Sequence, residues 1–414
     1  MKKELILGLG LLSAISASAQ TSLVKEVERN LKSKVDNYPA QVKALTPAFS
    51  NEETAETAYP YFIAGKYGVD FYEKKDIENR AGMTVNIPEM GHALIDSYGY
   101  LVKALSLDTV ADAKGKVKTK YSKDIIKLIG KAYPQFDNAA ILLWGEKDYK
   151  GAYDAWELLF SVPTDPVLGA NAPVALPDSV LNVISFNQGL AAFNLEDWDN
   201  TLRSFDRAIA MGNTTKNVYD FAMAAAANYP DSIRTAIIAK YAEMAYPIYG
   251  AEDDRYIGNI INNMMHQGNY AEAETMLNKY IEADPQNAQL YFILGVVYEN
   301  EEGSPVTADK AVEMFKKCIA INPEHTMANI QLGQLLFEKA AALDESANSF
   351  STPEYNKHKA EVVDPMLREA ATYFEKAYEV DPENSHTSLA NLRSIYYFLN
   401  DAENMDRIKK LQEN

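Results

Sequence analysis

Cysteine is nearly absent. The 414 residues contain one, Cys318, so no internal disulfide can form. Histidine is scarce too: its 5 positions are scattered and supply no H-E-x-x-H and no Cys/His cluster of the kind that holds zinc. There is no G-x-S-x-G, and the only closely spaced glycines of the phosphate-cradling kind, Gly8-Leu9-Gly10, lie in the first apolar run. Glu196, Asp197 and Asp199 flank Trp198 without the spacing or central glycine of a calcium loop. Beyond residue 19 no run approaches the roughly 18 apolar residues of a membrane span. Positive charge is in deficit, 40 Lys and Arg against 58 Asp and Glu, for a net charge of −18. A chain this acidic is repelled by nucleic acid and by anionic lipid. The residues thus point to no catalytic centre, cofactor or metal site.

Residues 1–19 read as a secretory signal. Lys2-Lys3 form a positive start, Leu5 to Ile15 an apolar run, and Ala17-Ser18-Ala19 a cleavage site before Gln20. No cysteine stands at the cleavage point to carry a lipid. The expected compartment is a bacterial periplasm, with any envelope association peripheral. Within residues 107–120, Lys114, Lys116, Lys118 and Lys120 surround Gly115 in the one locally basic stretch. It reads as a solvated hairpin or loop, with contact to an acidic partner or a lipid head group as the alternative.

The strongest pattern lies between Gly268 and Pro323. It runs Gly268-Asn269-Tyr270-Ala271-Glu272-Ala273, Leu277 and Asp284-Pro285, then Tyr291-x-x-Leu294-Gly295-x-x-Tyr298, Ala311-x-x-x-Phe315, Cys318 and Asn322-Pro323. Small residues at 273 and 295 let two helices cross closely. The prolines stop the second helix of each pair. Parts of the pattern return at Asp148-Tyr149, Asp197-Trp198-Asp199 and Leu332-Gly333. Trp198 and Tyr270 stand 72 apart, two periods of about 34 with a small insertion.

These residues resemble the tetratricopeptide repeat, W-x2-L-G-x2-Y…A-x3-F…P, with Tyr291 in the tryptophan position. The likeness is to secreted bacterial members of the Bacteroidota periplasmic type. It implies an all-α fold, a right-handed α-solenoid of helix–turn–helix repeats with a degenerate N-terminal part. The expected units are 133–166, 182–215, 216–253, 254–287, 288–325, 326–384 and 385–414, within an array over 121–414. Residues 20–120 would form a helical region with one degenerate repeat. Insertions are expected at 76–91 and 161–179, both rich in Gly or Pro, and at 338–364, where Glu338 to Leu343 favours a prolonged first helix.

The resemblance also implies where a partner would bind. Repeats of this family hold peptides on the first-helix face, at positions two, five, nine and twelve of a unit. Mapped onto this sequence, those positions give Arg255, Asn262, Met265, Gln289, Phe292, Glu299, Gln334, Phe337, Arg393 and Tyr396, with Phe186 and Phe193 upstream. Asn262 leads, because a carboxamide both donates to and accepts from a peptide backbone. The expected function is a non-catalytic periplasmic scaffold that binds a peptide or protein in envelope assembly or secretion. The alternative is an outer-membrane-associated glycan or nutrient binder, which would need an aromatic platform. A third class, an enzyme with its site in 20–120, has only His92 as an acid–base group.

Overall fold

A computed structural model describes residues 20–412 except 53, 111–114, 302–304 and 384. The expected signal, 1–19, and Lys114 lie outside the described residues. Among those residues regular structure is helical and no strand forms. The chain divides into two compact units, 1–229 and 230–414, each built around its own apolar core.

The first unit opens with α1, 20–33. The short α2 (Tyr38–Ala44) and α3 (Thr46–Ser50) follow, each with a proline in its first turn. Two long helices then pack along each other, α4 (Ala58–Arg80) and α5 (Ile87–Asp108). The loop expected over 76–91 is therefore corrected to a six-residue connection. Gly82, at φ +79°, ends α4, with the Met83 N–H returning to the Glu78 carbonyl at 3.0 Å. Pro88 sits in the first turn of α5, where no backbone N–H is needed, and the Asn86 side chain caps that turn. The two residues read as loop-formers are a terminator and an initiator.

Next come α6 (Ser122–Ala132), α7 (Gln135–Gly145) and α8 (Tyr149–Ser161). Residues 162–177 form an irregular, proline-bearing connection with two 3₁₀ turns. The unit closes with α9 (Asp178–Asn194), α10 (Trp198–Ala210) and α11 (Lys216–Ala226).

The second unit starts with α12 (Asp231–Tyr249), α13 (Arg255–His266), α14 (Tyr270–Ala283) and α15 (Ala288–Asn300). Then follow α16 (Pro305–Ile321) and α17 (Thr326–Ser346), which is prolonged by Glu338 to Leu343. The chain continues through α18 (Thr352–His358), a π-helical turn (Lys359–Val363) and α19 (Asp364–Val380) as one unbroken helical run. Helices α20 (His386–Phe398) and α21 (Ala402–Gln412) finish it. The boundary at 229/230 falls inside 216–253, which the sequence presents as one repeat. Helix α11 packs on α10, and α12 packs on α13.

One turn recurs between the two helices of a pair. A residue in the left-handed region ends the first helix: Lys147, Glu196, Gly268 and Asn400, at φ 54 to 75°. The next N–H reaches back five residues, as from Asp148 to the Leu143 carbonyl and from Asp401 to that of Tyr396, each at 2.9 Å. The Asp148, Asp197 and Asp401 side chains then accept from the first turn of the second helix. A second recurrence sets how closely pairs cross. A methyl on Gly189 or Gly295 would lie 2.5 Å from the ring of Phe205 or Phe315, and one on Gly333 would lie 3.0 Å from Phe374.

Candidate partner-binding surface

The ten mapped residues all fall in the second unit, on α13, α15, α17 and α20. On α13, Arg255 is exposed with its guanidinium on the Asp253 carboxylate, Asn262 is exposed, and Met265 is half-buried.

Helices α15, α17 and α20 are joined across their neighbouring faces by side-chain amides. The Gln289 carboxamide oxygen bonds the His325 Nε2 at 2.9 Å. His325 Nδ1 accepts from the Ala328 N–H, capping α17, so its proton must sit on Nε2. Burial pushes His325 below the usual imidazole range, and its ring lies 4.7 Å from that of Phe292. The Gln331 amide donates to Glu299 at 3.0 Å. Gln334 donates to Glu338 at 2.6 Å and accepts from Asn391 of α20 at 3.1 Å. Phe337 faces Phe398 with ring centres 6.3 Å apart. Burial and then the charge of Glu338 raise the Glu299 carboxyl above its ordinary value. Neither glutamate has an ion-pair partner among the described residues. The surface is thus polar, half-desolvated, aromatic at intervals and locally negative.

Arg393 is exposed. Tyr396 is a correction. It is 6% exposed, and its hydroxyl donates to Glu375 of α19 while Arg407 of α21 bonds the same carboxylate. Consecutive residues on a helix point about 100° apart, so a register error of one residue exchanges the inside for the outside. The neighbour Tyr397, 67% exposed, is the residue that faces out. His325, Gln331, Glu338, Asn391 and Phe398 belong to the surface and were missed. Gln331 and Glu338 lie three and four residues from Gln334, a helical spacing that placed them on its face.

In the first unit, Phe186 packs on Phe205, and Phe193 on Trp198 and Phe221. An apolar cleft of about 300 Å³ lies beside them, lined by Ile141, Trp144, Trp156, Asn187 and Leu190. His92, the acid–base candidate, is exposed and meets Asp148 at 2.6 Å, the same carboxylate that caps α8. Burial pushes the Cys318 thiol up to about 12. Among the described residues no three His, Cys, Asp or Glu side chains are grouped to hold a metal, and no helix is long and apolar enough to cross a membrane.

The paired helices, the returning turn and the Gly–Phe crossings are the geometry of one repeat family, and a family model described as tetratricopeptide repeat matches residues 265–308. Residues 265–308 thus carry a tetratricopeptide repeat. The matched stretch contains α14 and α15 and carries Met265, Gln289, Phe292 and Glu299 of the surface. Comparison with curated proteins gives no match. Among solved structures, the chain is similar to a TPR repeats protein from Bacteroides fragilis at 18% identity, covering 67% of this chain and 98% of that one with a TM-score of 0.27. The C-terminal part of a TPR repeat-containing protein from Cytophaga hutchinsonii gives 15% identity, 66% and 93% coverage and a TM-score of 0.37. YrrB, a TPR protein with an unusual peptide-binding site, gives 19% identity, 50% and 95% coverage and a TM-score of 0.31.

Proposed function

We propose that this protein is a non-catalytic tetratricopeptide-repeat scaffold of a bacterial periplasm. It binds a segment of another protein on the shared face of α13, α15, α17 and α20, in envelope assembly or secretion. The observation that carries the reading is the row of amide and carboxylate side chains joining α15, α17 and α20. Carboxamides held half in solvent, with Phe292 and Phe337 between them, suit an extended peptide backbone and its apolar side chains. Asn262, exposed on α13, extends the face. The compartment rests on residues 1–19; N-terminal sequencing of exported protein should begin at Gln20. To test the surface, the tagged protein is purified from its native envelope fraction beside an Asn262→Trp/Gln334→Arg variant. A partner retained by the wild type and lost from the folded variant supports the reading; equal retention by both refutes it.

One observation favours a second reading, glycan capture. An open bowl of about 560 Å³ on α4 and α5 is lined by Tyr61, Tyr98, Tyr100, Asp96 and Lys103. Phe49 stacks on both Tyr61 and Tyr100, with ring centres 4.9 and 5.4 Å apart. Calorimetric titration with envelope polysaccharides, lost in Tyr100→Ala, would establish it; no heat with any of them removes it.

A further inference from the structure

The insertion at 338–364 builds a cleft that a plain helix pair lacks. Helix α17 runs past Phe337 to Ser346, and the facing run from α18 to α19 passes through the π-helical turn Lys359–Val363. Between them opens a space of about 260 Å³. Its apolar lining is Phe337, Ala341, Val363, Leu367 and Phe398. Its rim carries Asp344, Glu345, Tyr355 and Lys359. Two apolar residues of its lining are left in solvent, Phe398 at 46% and Ala341. Apolar surface collected at one place marks an interaction site, and π-helical turns occur often at such sites.

The size and the charge define the occupant. Pockets that enclose metabolites run from about 300 Å³ upward; this one holds a large side chain or two. The Lys359 ammonium is already engaged by the Asp364 carboxylate at 2.5 Å and the Phe398 carbonyl at 3.1 Å. Tyr355 donates to Asp344 at 2.9 Å. Glu345 is exposed and has no ion-pair partner among the described residues. The carbonyl end of α20 adds partial negative charge at the same rim. The rim is therefore negative in excess, and the apolar lining is uncharged.

We propose that this cleft docks a segment of a protein partner in which a large apolar side chain sits beside Lys or Arg. The apolar side chain fills the space above Val363 and Leu367, and the cation meets Glu345 and the end of α20. This rests on the reading of the chain as a protein-binding scaffold and adds to it a contact of defined chemistry, adjoining the amide face at Phe337.

The test uses the chain from Gln20 onward and three fluorescein-labelled dodecapeptides of Gly and Ser with central Lys-Phe-Lys, Glu-Phe-Glu or Lys-Gly-Lys, read by fluorescence anisotropy. The Lys-Phe-Lys peptide is expected to bind at least about tenfold tighter than either other peptide. Ala341→Trp, which fills the cleft from an exposed position, is expected to remove that preference, and the surface change Glu345→Lys to weaken binding about threefold or more. Lys317→Ala, an exposed change on α16 outside both surfaces, is expected to leave it unchanged. Equal affinities for the three peptides, no binding of any up to about 1 mM, or full binding by both Ala341→Trp and Glu345→Lys overturns the proposal. Binding lost in Asn262→Trp but kept in the two cleft variants overturns the cleft and leaves the amide face standing.

Discussion

Gly295 and His325 show how single residues set the repeat geometry. A methyl at 295 would meet the Phe315 ring at 2.5 Å, inside a fully buried contact. Gly295→Ala is expected to cost about 1–3 kcal/mol through overpacking. Phe315→Leu in the same chain should return part of that cost in a double-mutant cycle read by urea unfolding. His325 acts through its proton. Because burial holds its pKa below the ordinary imidazole value, the unfolded chain takes up a proton first as pH falls. The stability it contributes is therefore whole above the ordinary value and is lost as pH falls from there toward the folded one. His325→Asn keeps a capping acceptor without that titration. The urea midpoint of the wild type is expected to fall relative to this variant between about pH 7.5 and about pH 5.5; parallel curves would refute the role. The importance of Gly295 was legible from its motif. That of His325 was not, because a residue two past Pro323 reads only as turn until the facing Gln289 and Phe292 are in place.

Among the elements, the connection from α5 to α6 depends on one carboxylate. Asp108 accepts from the backbone N–H groups of Lys120, Tyr121 and Ser122 at 2.7–3.0 Å and from the Ser122 hydroxyl at 2.7 Å. Burial acts to raise its pKa, but these bonds outweigh it and hold the carboxyl below its usual range. Its contribution is present above the ordinary carboxylate value and is lost as pH falls through the folded one. Asp108→Ala is expected to cost about 2 kcal/mol and to speed hydrogen exchange at the amides of 120–122; unchanged protection would contradict the anchor. The lysine alternation that follows Asp108 was legible as non-helical chain, and its tether was not, since acceptor and donors lie 12 to 14 residues apart. Helix ends were misread where Gly82 and Pro88 serve to stop and to start helices that touch along their length. The prolonged α17 was legible because Glu338 to Leu343 are strong helix formers. Tyr396 failed for want of register, the least secure part of any helical reading.

At the scale of the molecule, the array periodicity was legible from the turns and prolines, because a solenoid repeats the same local packing problem. The division at 229/230 was not, since each side of it reads locally as one more helix of the same kind. The central claim is that a partner lies on the shared face of α13, α15, α17 and α20. The most direct measurement is site-specific photo-crosslinking in cells, with the crosslinking residue placed singly at Asn262 and Arg393 on that face and at Lys317 and Glu379, exposed on second helices. The expected result is the same discrete protein adduct from 262 and 393 and none from 317 and 379. No adduct from the first two, or equal adducts from all four, would contradict it.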